Sequence, residues 1–266
     1  MEIKGKVTVV TGGGSGIGRA VCRRFASSGA RVVVTDVNEA PARAVASEIG
    51  GLAVRCDVGS EEDVKRLVRE AESAYGPIDL FYSNAGIATG GDPISTPNEV
   101  WDRQWQVNFM AHVYAARAVL PGMLERGSGY LVHTSSMAGI LATHGNATYT
   151  ATKHAVVGLA EWLAFTYAHR GIRVSCLCPL GVRTPMLGDP TSAWAQSGAA
   201  GTIKEPEEVA EMVEDAIRAE RFLILTDPIA QEWMARKTAD PDRWLRGMNR
   251  LQQRIEEAQG AGRPAS

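Results

Sequence analysis

Tyr149 and Lys153 stand four residues apart in Tyr149-Thr150-Ala151-Thr152-Lys153, and Ser136 lies thirteen residues upstream. In a helix that spacing puts the phenol and the ammonium on one face. A free tyrosine titrates near pH ~10 and is a poor acid or base at neutral pH. A cation beside it favours the phenolate and moves its pKa down. The three residues therefore offer a tunable proton donor or acceptor with a hydroxyl beside it. The pair alone would also suit a solvated helix face, so its meaning depends on what else the chain brings to it.

A second group of residues has the chemistry of binding. Thr11-Gly12-Gly13-Gly14-Ser15-Gly16-Ile17-Gly18 holds five glycines in seven positions, more than a tight turn needs. Glycines let a backbone approach a pyrophosphate, and a helix N-terminus supplies N–H donors and a favourable dipole. The G-x-G-x-x-G spacing does not occur among them. Asp36 follows eighteen residues after Gly18. A carboxylate there can accept from ribose hydroxyls and would repel a 2′-phosphate. Val37 comes next, and no Arg or Lys lies between Gly12 and Gly18. NAD is favoured over NADP on these grounds. Asp57 with Val58, and Asn84-Ala85-Gly86, close two further apolar runs.

These residues need elements to carry them. Apolar runs at 7–11, 31–36, 52–56, 78–83, 130–134 and 172–177 read as strands, and 221–225 as a last one. Helical stretches fall between them at 16–28, 39–49, 61–75, 98–126 and 148–170, with another from Pro206. Strands that are nearly all apolar, each followed by a crossover helix, predict a doubly wound α/β fold with a parallel sheet covered on both faces. In such a sheet the C-terminal strand ends face the ligand crevice. The glycine loop, Asp36, Asp57, Asn84 and Ser136 all sit at strand ends. No internal domain boundary is apparent across 1–266. The stretch 186–204, rich in small residues around Trp194, reads as a lid, and 228–259 as a helical C-terminal extension.

Composition narrows the partners. The chain has 266 residues, 45% hydrophobic and 22% charged, with net charge −2. That balance points away from nucleic acid and anionic membrane surfaces. No apolar run approaches the ~18 residues of a span, and a cytoplasmic location is expected. Cys22, Cys56, Cys176 and Cys178 show no metal-ligand spacing and read as reduced, buried thiols, the last two on opposite faces of a strand.

Taken together the motifs resemble those of the classical short-chain dehydrogenase/reductase family over about residues 3–225. The matching pieces are Thr11–Gly18 (T-G-x-x-x-G-x-G), Asp57, Asn84-Ala85-Gly86, Asn108, Ser136, Tyr149-x-x-x-Lys153, and Pro179 with Val182 and Thr184. The resemblance implies a single Rossmann-like domain with a seven-stranded parallel sheet. It implies reversible hydride transfer between a nicotinamide cofactor and an alcohol or carbonyl. Tyr149 would be general base or acid, and Lys153 would lower its pKa and hold the nicotinamide ribose. Ser136 would donate to the substrate oxygen, and Asn108 would hold a water joining Lys153 to solvent. Gly12, Ser15, Gly16, Ile17, Gly18, Asp36, Asp57, Val58, Asn84, Ala85, Gly86, Pro179, Val182 and Thr184 would surround the cofactor. A homodimer or homotetramer is implied, built through the helices near 98–126 and 148–170.

One position departs from the family pattern: Leu180 stands where Pro-Gly is usual, with Gly181 one residue later. Met137, Leu141, His144 and Leu180 are the expected substrate wall, which favours a hydrophobic or cyclic alcohol or ketone. Trp233, Met234, Trp244 and Met248 of the extension are expected to pack on the body or a neighbouring subunit. Two rival readings are an NADPH-dependent biosynthetic ketoreductase, opposed by Asp36, and a non-catalytic cofactor-binding regulator or scaffold, opposed by the intact Ser136, Tyr149 and Lys153.

Overall fold

The computed structural model describes the backbone of residues 1–188 and 201–261, and side chains to 258. Seven parallel strands form one sheet: β1 Val7–Thr11, β2 Arg31–Asp36, β3 Leu52–Arg55, β4 Leu80–Ser83, β5 Gly129–Thr134, β6 Ile172–Cys178 and β7 Leu223–Leu225. Their order is β3-β2-β1-β4-β5-β6-β7, so the chain reverses its direction of travel between β1 and β4. This is the Rossmann-like doubly wound arrangement, whose crevice opens at the reversal.

Alternation along each strand feeds two cores. Val7, Val9 and Val33 point to one face. There they meet the helices α3 Glu61–Tyr75, α5 Ala111–Arg126 and α7 Ala147–Tyr167. Val10, Val32 and Val34 point to the other. That face is covered by α1 Gly16–Ser27, α2 Glu39–Ile49 and α8 Pro206–Arg218. Local signals start several helices. Ser60 accepts from the Asp63 N–H at the head of α3. Glu205 and Glu208 make a capping box ahead of α8, with Pro206 at its first position. Asn146 accepts from the Tyr149 N–H and so fixes where α7 begins.

Two predicted helices are interrupted. The stretch 98–126 is α4 Asn98–Trp105, a π-helical turn Gln106–Met110 and α5. Such one-turn bulges recur at functional sites because they re-aim side chains, and this one carries Asn108. The extension is α9 Ile229–Ala239 and α10 Pro241–Ala261. Asp240 lies between them with φ −153 and ψ 88. The following Pro241 excludes the helical conformation there. A short helix, α6 Ala138–Leu141, also precedes α7. Of the expected lid, Pro185–Leu187 forms one 3₁₀ turn. The Arg183 N–H donates to the Lys204 carbonyl at 2.9 Å, joining the two ends. Trp194 and the rest of 189–200 lie outside the described residues.

Cys176 and Cys178 share one face of β6 rather than opposing faces. They are two apart in a structure of period two, and their sulfurs lie 3.8 Å from one another. All four cysteines are buried and unbridged. Among the described residues no helix is long and apolar enough to cross a membrane.

Candidate active site

A cavity of about 960 Å³ runs along the C-terminal strand ends, from Asp36 past the glycine loop to Tyr149. Gly12, Ser15, Gly16, Ile17, Asp36, Asp57, Val58, Asn84, Ala85 and Gly86 line one part of it. Ser136, Tyr149, Lys153, Pro179, Val182 and Thr184 line the middle, and Met137, Leu141, His144 and Leu180 the far end. Two predicted residues sit behind the wall. Gly18 packs so closely on Gly12 that a Cβ there would lie 2.7 Å from Asn84 Nδ2. Asn108 is fully buried under Gly86.

The glycine loop is held from beneath. The Thr11 hydroxyl accepts from the N–H groups of Asn84 and Ala85 at 2.9 and 3.0 Å. Asn84 returns a bond from its amide to the Thr11 carbonyl. Gly12 needs its φ of +65, and a Cβ would stand 3.0 Å from the Ala85 Cα. Ser15 precedes α1 with its hydroxyl making no cap bond. The helix terminus therefore keeps donors facing the cavity. Asp36 is fixed at the other end, accepting from the Gly14 N–H at 3.2 Å and the Asn38 N–H at 3.0 Å.

Lys153 is 2% exposed. Its Nζ donates to the Thr134 carbonyl at 2.9 Å, one partner for three donors, and stands 5.5 Å from the centre of the Tyr149 ring. Burial lowers its pKa from 10.5 to about 8. Burial also raises the Tyr149 phenol above its ordinary value, while the Ser136 hydroxyl beside it pulls the other way. The net direction is opposite to the lowering expected from Lys153. Desolvation of the enclosed phenol is the largest cause of that shift. Ser135 is occupied elsewhere: its hydroxyl donates to the Lys153 backbone carbonyl at 2.8 Å. Ser136 accepts from the Ala138 N–H at 3.1 Å and stays on the cavity side.

Asn108 braces this floor. Its Oδ1 accepts from the Ile87 N–H at 2.8 Å, and its Nδ2 donates to the Ile87 carbonyl at 2.9 Å and to Thr152 Oγ1 at 3.3 Å. Behind it lies a pair no spacing revealed: His112 and His133, both buried, with their Nδ1 atoms 2.9 Å apart. Burial lowers His133 to about 4 and His112 in the same direction.

Sequence reasoning missed two parts of the wall. Arg103 pairs with Asp57 at 3.1 Å. The extension folds back over the far end, so that Trp233, Trp244 and Met248 line the cavity with Gly247, Leu251 and Arg254. The first three were expected against the body or another subunit. Their spacing showed an apolar face but not what it would cover.

The model of the family described as short chain dehydrogenase matches residues 6–194. The chain belongs to that family. It is an oxidoreductase acting on CH–OH groups. It is 40% identical over 190 residues to 2,5-dichloro-2,5-cyclohexadiene-1,4-diol dehydrogenase of Sphingobium indicum, covering 70% of this chain and 76% of that one. It is 35% identical over 221 residues to cyclohexanol dehydrogenase of an Acinetobacter species, covering 80% and 87%. A short-chain dehydrogenase/reductase from Burkholderia phymatum, solved in complex with NAD, superposes with a TM-score of 0.83 at 30% identity, covering 91% of this chain and 96% of that one.

Proposed function

We propose that this dehydrogenase oxidises a secondary alcohol, or reduces the matching ketone, with NAD(H) as cofactor and Tyr149 as the proton-transferring residue. The observation that carries the reading is the continuity of one cavity from Asp36 to Tyr149. The chain's own atoms fit a dinucleotide in it. Donors at the head of α1 face the space, Asp36 is anchored at one end, and Lys153 keeps N–H donors free at the other. Asp57 and Val58 would flank the adenine, and Asn84, Ala85 and Gly86 the nicotinamide-side ribose. Pro179, Val182 and Thr184 would hold the carboxamide. When bound, the nicotinamide supplies the acceptor or donor of hydride.

The protein's part is the proton. Tyr149 takes it from the hydroxyl during oxidation and returns it during reduction. Ser136 donates to the substrate oxygen and stabilises the charge that develops there. Lys153 holds its positive charge beside the ring and reaches the ribose. Asn108 keeps Gly86 and Ile87 against Lys153 and would border a water path from Nζ to solvent. His144, Met137, Leu141 and Leu180 shape the substrate end, where apolar walls favour a ring or other hydrophobic alcohol. Both relatives named above act, by their names, on ring alcohols.

Asp36 supports NAD: its anchored carboxylate would repel a 2′-phosphate, and the lining Arg103 is paired to Asp57. The 1–266 chain acts as one nucleotide-binding unit whose extension serves its own cavity. A homo-oligomer is supported by aromatics left outside on α4 and α7, Trp105, Trp162 and Phe165, the last 70% exposed. A cytoplasmic setting fits the four free thiols.

A cofactor-linked screen of cyclic and open-chain secondary alcohols and ketones, run with both NAD and NADP, tests this reading. Turnover of ring alcohols with NAD is expected. A tenfold or greater preference for NADP in kcat/KM would replace it with the biosynthetic ketoreductase.

A further inference from the structure

Five charged side chains line the cavity: Asp36, Asp57, Arg103, Lys153 and Arg254. Four of them have partners. Asp36 accepts from two backbone N–H groups, Asp57 and Arg103 pair together, and Lys153 donates to Thr134. Arg254 has no hydrogen bond or ion pair among the described residues, although it lines the same space.

Its position is fixed by the helix that bears it. Trp244, Gly247, Met248, Leu251 and Arg254 recur at intervals of three or four along α10 and form one stripe facing the cavity. A hydrogen-bond chain locks that helix to the loop ahead of Tyr149. His144 Nδ1 and Gln252 Oε1 are 2.7 Å apart, and Gln252 Nε2 donates to Glu256 Oε1 at 2.6 Å. A carboxylate only accepts, so the Gln252 amide nitrogen must face Glu256 and its carbonyl must face His144. His144 is therefore the donor through Nδ1. Glu256 is engaged with Gln252 on the flank of the helix, and neither it nor Glu257 pairs with Arg254 among the described residues.

Beside His144, this end is walled mostly by apolar side chains: Met137, Leu141, Trp244, Met248 and Leu251. A guanidinium is permanently charged and presents a planar fork that matches a carboxylate. Arg254 is exposed at the rim of the cavity, where its charge faces both solvent and the apolar interior. We propose that the substrate is an apolar alcohol that also carries a carboxylate, and that Arg254 pairs with this carboxylate while the carbinol faces Ser136 and Tyr149. Arg254 is then a specificity-determining residue remote from the reacting carbon. This assignment rests on the alcohol dehydrogenase reading for its carbinol end.

Calorimetric titration of the NAD-loaded enzyme with 4-hydroxycyclohexanecarboxylate and with its methyl ester separates the possibilities. The wild type should bind the carboxylate about three- to fivefold tighter than the ester at low salt. That preference should shrink as salt is added. Arg254→Gln should lose the preference with ester binding unchanged, and Arg254→Lys should keep part of it. In turnover the change should fall on KM for the carboxylate and leave kcat alone, since the contact is the same in ground and transition states. Reduction of NAD followed in the same samples keeps the two readings apart. Discriminating binding without turnover of either probe would sink the dehydrogenase reading and leave the Arg254 assignment standing. Equal binding of acid and ester by the wild type would overturn the assignment, as would an Arg254→Gln variant that weakens both probes alike or weakens NAD instead.

Discussion

Replacing Lys153 by Met should abolish turnover and yet make the cofactor-free protein more stable. Lys153 is buried, and its pKa falls from 10.5 to about 8. At about 1.36 kcal/mol per pH unit that gap is about 3 kcal/mol. It is a cost of holding the charge in the fold, so it is fully present below pH 8. Between pH 8 and 10.5 the unfolded chain holds the proton more tightly than the folded one, and wild-type stability rises through that window. Losing the bond from Nζ to the Thr134 carbonyl offsets about 1–2 kcal/mol. A net gain of about 1–2 kcal/mol remains for Lys153→Met at pH 7. At about 2.1 cal/mol/K per residue over 266 residues, that gain raises Tm by about 2–4 °C. Calorimetric melting of both cofactor-free proteins at pH 7 and pH 10 reads it. The advantage should be clear at pH 7 and shrink at pH 10. A variant that melts below the wild type at pH 7, or a difference that ignores pH, would refute the reasoning.

Asp36→Ala should raise the kcat/KM for NADP relative to NAD by on the order of 100-fold, because it removes a like charge from the site of the 2′-phosphate; an unchanged ratio would reassign cofactor choice to other residues. Gly139→Ala should cost about 1–3 kcal/mol in urea unfolding, since a Cβ would lie 2.5 Å from the Lys153 carbonyl oxygen and push α6 off α7. The neutral His133 adds an acid liability. Its pKa is about 4 against 6.5 unfolded, so stability is intact above pH 6.5 and about 3 kcal/mol is lost by pH 4. A His112→Leu, His133→Leu double variant should flatten that part of the pH–stability curve, and persistence of the slope would contradict it. Phe165→Asp should lower the apparent mass in sizing chromatography if α7 forms the subunit contact.

The sheet was legible because its strands are nearly all apolar and its helices carry their own start signals. Val7–Thr11 and Arg31–Asp36 fall where the residues alone place them. The glycine loop and Asp36 declare themselves through residue type, and Tyr149 and Lys153 through spacing. What stayed hidden depends on distant partners. No local pattern tells that Asn108 sits on a π-helical turn and bonds Ile87, or that His112 meets His133 across α5 and β5. Trp244 and Met248 showed an apolar face, but the break at Asp240 and Pro241 decides that it folds over the cavity. The direction of the Tyr149 pKa was also beyond reach, since it depends on burial that no spacing reports.

The central claim is that Tyr149 moves the alcohol proton in a site that also holds NAD. It is tested most directly by rapid-mixing measurement of NADH formation in wild type and Tyr149→Phe, with NAD affinity measured on the same samples. The account predicts unchanged NAD affinity and a rate lower by about 10²–10⁴-fold. A Tyr149→Phe enzyme that forms NADH at the wild-type rate would contradict it.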